Sequence, residues 1–402
     1  MLKNRYVRTT LLSRVLLQLG IWVRNFAILL YVTDLTHNDP KSVSLISIAE
    51  YAPIFIFAMI GGTFADRWKP KRTMVGCDLL SAASVFAVLG ALALGSWYFL
   101  LAGTFVSAVM SQFSQPSALK LYKGHVPPEL LQRVMALSQS LMGIFMVIGP
   151  VIGAFVYQQY GIQVSLIVTG IAFFGSALVL MSLPRDTENP NVNEAPDFAK
   201  ELIAGLRYVW NSGALRTLGI VFSVSGLAAG LVQPLAVFIV MERLGLDKAF
   251  LQWLLMASGA AMLVGGGVIM AAARKVRPQT LLALGLLVSS LTTLGIGWST
   301  SIAFTFVLQI INGLFYPCVH IGIQTLLMKH TEGAFIGRVG GAITPVFMGM
   351  MVIGMSLAGY LKDAFSLLPV YAVSAALLLL GTLFLLPLLQ AGRRAASKTA
   401  SS

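Results

Sequence analysis

The chain has 402 residues, of which 57% are hydrophobic and 11% charged, and its mean hydropathy is +0.83. Soluble domains carry about 25% charged residues, so this composition excludes an ordinary soluble protein and indicates an integral membrane protein. The net charge of +13 would suit a nucleic-acid-binding protein, but the placement of the basic residues follows the membrane instead, and we expect no nucleic-acid partner.

Twelve apolar runs are long enough to cross a bilayer as helices, which takes about 20 residues each. The predicted spans are 11–33, 43–65, 73–95, 97–119, 134–157, 163–183, 215–240, 250–273, 279–298, 302–327, 339–361 and 367–389. Most of the 28 Lys and Arg lie on one set of alternating loops and ends, and the other set carries only Lys41, Arg243, Lys248 and Lys362. The positive-inside rule makes the basic set cytoplasmic, so we expect a multi-pass protein of the cell membrane with both termini in the cytoplasm.

Two charged residues lie deep in the first two predicted spans, Arg24 and Glu50, both at a depth of roughly 20 Å from the cytoplasmic helix ends. Charged side chains at such depth are costly and usually face a bundle interior and serve transport. We predict that Glu50 and Arg24 pair or share a water-filled cavity, and that Glu50 carries a proton; a permanent ion pair that fixes helix packing is the alternative. The other acids lie in loops or near helix ends, and Asp78 is expected to pair with Arg67 or Arg72.

A short basic loop joins the second and third spans, and its notable residues are Gly62, Asp66, Arg67, Lys71 and Arg72. Their spacing, Gly-x3-Asp-Arg-x3-Lys-Arg, resembles the cytoplasmic loop motif of the major facilitator superfamily. Lys69 stands where that motif usually has a second glycine, and Pro70 where it has a basic residue. The resemblance implies a conformational latch, in which Asp66 is tied to the start of the eleventh helix when the bundle halves are closed on the inside. A loop that only sets topology by its charge is the alternative.

The fifth predicted span contains Gly149, Pro150 and Gly153 in the order Gly-Pro-x2-Gly. Glycines and a proline allow close packing and a bend, so a purely structural role is one interpretation. The pattern also resembles the superfamily motif associated with antiporters. That resemblance implies export of a substrate in exchange for protons.

One longer connection, residues 184–214, separates an N-terminal six-helix bundle (1–183) from a C-terminal bundle with a short basic tail (215–402). Apolar residues from Phe198 to Trp210 recur at steps of three and four, which predicts an amphipathic helix on the inner membrane surface or one docked on the bundle. The run Phe198 to Leu218 resembles the same connection in the macrolide-efflux and enterobactin-exporter branch of the superfamily, and the chain as a whole looks most like the branch of macrolide, multidrug and siderophore exporters. We therefore predict an all-α integral membrane protein with 12 transmembrane helices in two pseudo-symmetric six-helix bundles, the major facilitator fold.

The two halves also match in sequence. Arg133 opens the fifth span and Arg338 the eleventh, and a glycine follows sixteen residues later in each, at Gly149 and Gly354. Polar residues within predicted helices are candidates for the substrate cavity, and these are Asn25, Gln112, Gln115, Gln233, Asn312 and Tyr316. Each of them could instead satisfy a neighbouring helix.

The motifs that the sequence lacks limit the energy source and the reactions that the protein could use. No Gly-x4-Gly-Lys-Ser/Thr phosphate loop and no His-Glu-x2-His motif is present, so ATP hydrolysis and enzyme activity are not expected. We predict a monomeric, proton-driven exporter of a small amphiphilic compound, either a siderophore or an antibiotic, with no cofactor beyond the proton gradient and no metal. A proton-coupled importer and a lipid flippase-like facilitator are the alternatives.

Overall fold

The computed structural model describes residues 4–92, 95–184, 198–272, 276–388 and 390. Within these ranges the side-chain positions of residues 58–67 and 198–202 lie outside the description, and so do those of 272, 334 and 336. The predicted latch residues Gly62, Asp66 and Arg67 therefore lie outside the described side chains. All regular secondary structure in the described part of the chain is helical.

The chain divides into two compact units, Met1–Ala195 and Pro196–Ser402. The helices of the first unit are α1 (Arg5–Leu35), α2 (Pro40–Arg67), α3 (Pro70–Leu92), α4 (Tyr98–His125) and α5 (Pro128–Met181). Those of the second are α6 (Phe198–Asn211), α7 (Gly213–Val232), α8 (Ala236–Phe238), α9 (Leu251–Ala272), α10 (Pro278–Trp298), α11 (Ile302–His330), α12 (Ile336–Phe365) and α13 (Leu367–Phe384).

Side-chain caps fix where the first two helices begin. Asn4 Oδ1 accepts hydrogen bonds from the backbone N–H groups of Tyr6 (2.9 Å) and Val7 (3.4 Å) at the start of α1. At the start of α2, Asp39 accepts from the backbone N–H of Ser42 at 2.9 Å. Pro40 follows at the first helical position, where its missing N–H costs nothing. These caps satisfy backbone N–H groups that have no partner within the helix.

Helix α5 runs through 54 residues but contains two of the predicted spans. Gly161 has non-helical backbone angles (φ 75°, ψ −175°), which a glycine adopts readily, and the chain turns there from the span 134–157 into the span 163–183. In the described part of the chain, nine helices including α5 are long and apolar enough to cross a membrane. Because α5 accounts for two predicted spans, these nine helices account for ten. Helices α2 and α4, each of 28 residues, account for the other two of the twelve predicted spans.

One predicted span differs from a single helix. The run 215–240 was expected to be continuous, but α7 ends at Val232, and after a turn the chain continues through α8 and a π-helical turn, Ile239–Arg243. Pro234 explains the break, because proline lacks an N–H and its ring blocks the preceding helical turn.

The same helix pairs form the main contacts in both units. In the first unit α1 packs chiefly on α5, and in the second α7 packs chiefly on α12. The core between α1, α3 and α5 is built from buried residues that include Ile28, Val85 and Phe173. The α1–α5 contact holds the polar residues of α1 in place.

Candidate functional site

A cavity of about 220 Å³, mostly apolar but with four charged residues in its lining, lies within the first unit among helices α1 to α5. Its charged lining residues are Arg14, Arg24, Glu50 and Asp78. This volume is smaller than the roughly 300–1,000 Å³ of sites that enclose a drug-sized ligand, so the cavity can hold several waters or one polar end of a substrate.

Asn25 connects Arg24 to Glu50. Its Oδ1 accepts hydrogen bonds from Nε (3.1 Å) and Nη2 (2.9 Å) of Arg24, and its Nδ2 donates to Oε1 of Glu50 at 2.6 Å. The orientation of the amide follows from chemistry, because a guanidinium only donates and an ionised carboxylate only accepts. The structure thus brings the two predicted charges to one cavity and joins them through an amide.

Arg24 has an unused donor. The residue is 3% exposed, yet its Nη1 has no hydrogen-bond partner among the described residues. A buried guanidinium N–H without a partner is costly, so a water or a ligand oxygen is expected to meet it. Arg24 lines the cavity, but this nitrogen is itself buried, so a polar group would reach it only after a small shift of the neighbouring side chains.

Asp78 was expected to pair with Arg67 or Arg72 near the basic loop; the Arg67 side chain lies outside the described residues, and the partner that the structure gives Asp78 is Ser176. Asp78 is 3% exposed, lines the same cavity, and its Oδ2 accepts a hydrogen bond of 2.6 Å from Oγ of Ser176 on α5. Helix α3 begins at Pro70 rather than near Thr73, which places Asp78 about two turns inside the helix instead of one. A proline at the first helical position was the signal in the sequence that would have located it.

The Gly-Pro-x2-Gly segment forms the contact between α5 and α1. A Cβ on Gly149 would lie 2.4 Å from the ring of Trp22, and one on Gly153 would lie 2.7 Å from the backbone oxygen of Trp22. Only glycine permits these distances. The segment therefore sets the position of the α1 stretch that carries Arg24 and Asn25.

The second unit repeats this contact with its own glycines. A Cβ on Gly230 of α7 would lie 2.0 Å from the backbone oxygen of Met351, and one on Gly354 of α12 would lie 2.5 Å from the backbone oxygen of Leu227. Gly354 is the residue that the sequence comparison of the halves matched to Gly149. The two halves thus share a glycine-mediated contact between corresponding helices.

Of the basic loop, Lys71 and Arg72 have described side chains. Lys71 Nζ donates to the backbone oxygens of Met181 (2.9 Å) and Leu183, and Arg5 donates to that of Ser182. These cations meet carbonyl groups at the C-terminal end of α5, where positive charge is favourable. The loop is therefore attached to the end of the sixth predicted span, in the same unit.

The predicted substrate-cavity residues fall into two groups. Asn25, Gln112 and Gln115 belong to the first unit, where both glutamines line the cavity and Gln112 Nε2 donates to Oγ of Ser111 at 3.0 Å. Gln233, Asn312 and Tyr316 belong to the second unit and are not part of this cavity.

In the second unit the polar candidates have local partners. Asn312 Oδ1 accepts from Oγ of Ser289 at 3.2 Å, and the Tyr316 ring lies 4.9 Å from that of His320, measured between centroids. Gln233 is exposed at the break after α7. Among the described residues, no three His, Cys, Asp or Glu side chains are grouped so as to hold a metal ion.

Sequence comparison gives a family for this architecture. A model of the Major Facilitator Superfamily matches residues 10–232 and again residues 218–401. The chain is 28% identical over 381 residues to the multidrug efflux pump Tap of Mycolicibacterium fortuitum, covering 86% of this chain and 87% of that protein. It is 22% identical over 350 residues to macrolide efflux protein A of Streptococcus pyogenes, covering 85% of each.

Comparison with solved structures supports the same fold. A crystal structure of a peptide transporter, POT, superposes with a TM-score of 0.78 over 97% of this chain and 95% of that one, at 13% identity. Identity this low supports the fold alone. The predicted fold class, two related six-helix halves without enzyme chemistry, is confirmed.

Proposed function

Because the chain belongs to the major facilitator superfamily, we propose that it is a proton-driven exporter of a bulky amphiphilic compound, with both termini in the cytoplasm. It is a multi-pass membrane transporter and not an enzyme. Its relatives include a protein named as a multidrug efflux pump and one named as a macrolide efflux protein. Their names support the outward direction and a drug-like substrate, and the Gly149–Gly153 segment supports exchange with protons.

The observation that carries the proposal is the Asn25 amide between Arg24 and Glu50. A direct ion pair with Arg24 would hold Glu50 ionised, whereas an intervening amide weakens the attraction by increasing the separation of the charges. Glu50 is then able to take up a proton on one oxygen while the other still accepts from Asn25. The arrangement supports a proton carrier over a permanent ion pair.

Antiport requires that the substrate and the proton compete for the site, and this requirement favours a cationic substrate. A positively charged group near Glu50 stabilises the carboxylate and displaces its proton, which is the competition that antiport requires. An anionic group bound to Arg24 would neutralise the guanidinium and favour a protonated Glu50, so anion and proton would bind together. We therefore propose a cationic amphiphile, such as an amine-bearing antibiotic, rather than an anionic siderophore.

Transport would proceed by alternating access. With the cavity open to the cytoplasm, the substrate's cationic group binds ionised Glu50, and the Arg24 Nη1–H donates to a hydroxyl or carbonyl oxygen of the same molecule. With the cavity open outward, a proton from the higher-proton side replaces the substrate on Glu50. The cycle closes when the protonated site returns inward and releases the proton.

The loop residues keep the latch role that the family resemblance implies. Asp66 would bind the start of α12 when the cytoplasmic side is closed, since a negative charge is favourable at a helix N-terminus. The attachment of Lys71 to the end of α5 supports this role by giving the loop a fixed anchor in the first unit.

Efflux measurements test the function. Cells that overproduce the protein should lose cationic amphiphiles, such as ethidium or a macrolide, faster than cells that lack it, and a protonophore should remove the difference. The variant Glu50→Gln should behave like the empty strain, while Glu129→Gln, an exposed acid at the start of α5, should export normally. Accumulation in energised cells would instead indicate an importer, and full export by Glu50→Gln would reject Glu50 as the proton carrier.

A further inference from the structure

Helices α6, α7 and α12 enclose an apolar groove of about 740 Å³ on the second unit. Its walls include Leu206 and Val209 of α6, Ile220 of α7, and Ile343 and Val346 of α12. The volume lies in the range of roughly 300–1,000 Å³ that is typical of sites for small organic ligands.

The groove is held open by tight packing of α6 on the start of α12. A Cβ on Gly205 would lie 2.4 Å from the backbone oxygen of Arg338, so the two helices touch at the backbone. The Tyr208 ring stacks on that of Phe335, with centroids 4.5 Å apart and planes at 12°. This docking means that the groove exists without a ligand to organise it.

Two arginines give the lining of the groove a positive charge. Arg207 and Arg216 both line it and are exposed, and neither has a hydrogen-bond or ion-pair partner among the described residues. None of the described residues that line the groove is acidic. Trp210, 70% exposed, also lines the groove, and tryptophan favours the headgroup level of a bilayer.

We propose that this groove binds one anionic phospholipid from the adjoining leaflet. Its phosphate lies between Arg207 and Arg216, and an acyl chain lies along Leu206, Ile220 and Val346. Basic pockets beside transmembrane helices are known to bind such headgroups, and the apolar walls favour a lipid, whose acyl chain they can bury, over free inorganic phosphate. Because α6 rests on the start of α12, the bound lipid ties the connection between the two halves to α7 and α12.

Native mass spectrometry of the detergent-purified full chain tests the proposal. The protein is titrated with phosphatidylglycerol or phosphatidylethanolamine of matched chains, and bound lipids are counted. Each arginine strengthens anionic binding about fivefold, so the double variant Arg207→Gln/Arg216→Gln should bind phosphatidylglycerol about 25-fold more weakly. The control Arg8→Gln/Arg133→Gln removes the same charge from exposed sites in the first unit and should bind as the wild type does.

A second variant tests the contribution of the apolar groove independently of the two arginines. A Cβ on Gly219 would meet only Val209 Cγ1, at 3.7 Å, so Gly219→Leu fills the groove without a backbone clash and leaves both arginines in place. It should also weaken phosphatidylglycerol binding, and glycerol phosphate, which has no acyl chain, should not compete in the wild type. Equal binding of both lipids, unchanged binding in either variant, or full competition by glycerol phosphate would overturn the proposal.

Discussion

The side-chain amide of Asn25 donates to Oε1 of Glu50 over 2.6 Å, and the oxygen of the same amide accepts two hydrogen bonds from Arg24. One short residue therefore holds the carboxylate in place and separates it from the guanidinium. A carboxylate fixed by an amide keeps one oxygen free to exchange a proton or to meet a substrate cation. The predictions below follow from this relationship and from the packing that supports it.

Replacing Asn25 by Ala should shift the pH dependence of transport. Without the amide, Arg24 is free to approach Glu50 directly, and the closer positive charge favours the ionised carboxylate. Protonation then needs a more acidic outside solution, so the pH profile of gradient-driven transport in proteoliposomes should move to lower pH. Asn312→Ala, which removes an amide bonded to Ser289 in the second unit, is the control and should leave the profile in place. An unshifted profile in Asn25→Ala would contradict the bridging role.

Adding a methyl group at Gly153 should destabilise the first unit. Its Cβ would lie 2.7 Å from the backbone oxygen of Trp22, which can move only with α1, whereas Gly149 would meet the side-chain ring of the same residue. Overpacking typically lowers the free energy of unfolding by about 1–3 kcal/mol. We expect the loss for Gly153→Ala to lie at the upper end of this range and the loss for Gly149→Ala to be smaller.

The matched control for these variants is Gly90→Ala on α3, where an added Cβ meets nothing within 4 Å. Thermal unfolding followed by a thiol-reactive dye should give a lower midpoint for Gly153→Ala and an unchanged or higher one for Gly90→Ala. Equal midpoints for the two variants would show that the α1–α5 contact tolerates a side chain.

Removing the cap at Asp39 should destabilise the start of α2 in a pH-dependent way. Burial raises the pKa of Asp39, but hydrogen bonds from the Ser42 hydroxyl and from the backbone N–H groups of Ser42 and Lys41 outweigh it, so the pKa is lowered. A lowered pKa means that ionised Asp39 contributes stability above the unfolded-state pKa, and that this stability is lost as the pH falls through the folded-state value.

At neutral pH, Asp39→Ala should therefore lower the free energy of unfolding by about 1 kcal/mol, and the deficit should shrink below about pH 4. Asp39→Asn keeps a capping oxygen and should lose only a few tenths of that amount. A deficit for Asp39→Ala that does not change between pH 7 and pH 3 would show that the charge of this cap contributes nothing.

The fold was accessible from sequence because membrane spans are set by length and hydropathy. The break at Pro234 was not predicted, because the apolar run continues through it to Val240 and a proline does not always end a membrane helix. Helices α4 and α11 continue through Pro116 and Pro317. The depth of Arg24 and Glu50 predicted that they share a cavity, because consecutive helices are commonly neighbours.

The side-chain network was not accessible in the same way. Asn25 was expected to contact substrate, and only side-chain positions reveal that it bridges two charges. Asp78 was placed too near the membrane edge because its helix begins three residues earlier than the apolar run. The contact of Gly153 with Trp22 depends on which helix packs against which, and a glycine motif does not specify that.

Proton release on substrate binding tests the central claim most directly. The purified protein in weakly buffered detergent is mixed with a cationic amphiphile found in the efflux screen, and the pH change is recorded. At a pH low enough for Glu50 to be protonated before mixing, the wild type should release protons as the compound binds, and Glu50→Gln should release none at concentrations that saturate it. Substrate binding by the wild type without proton release, or equal release by Glu50→Gln, would contradict competition between proton and cargo at Glu50.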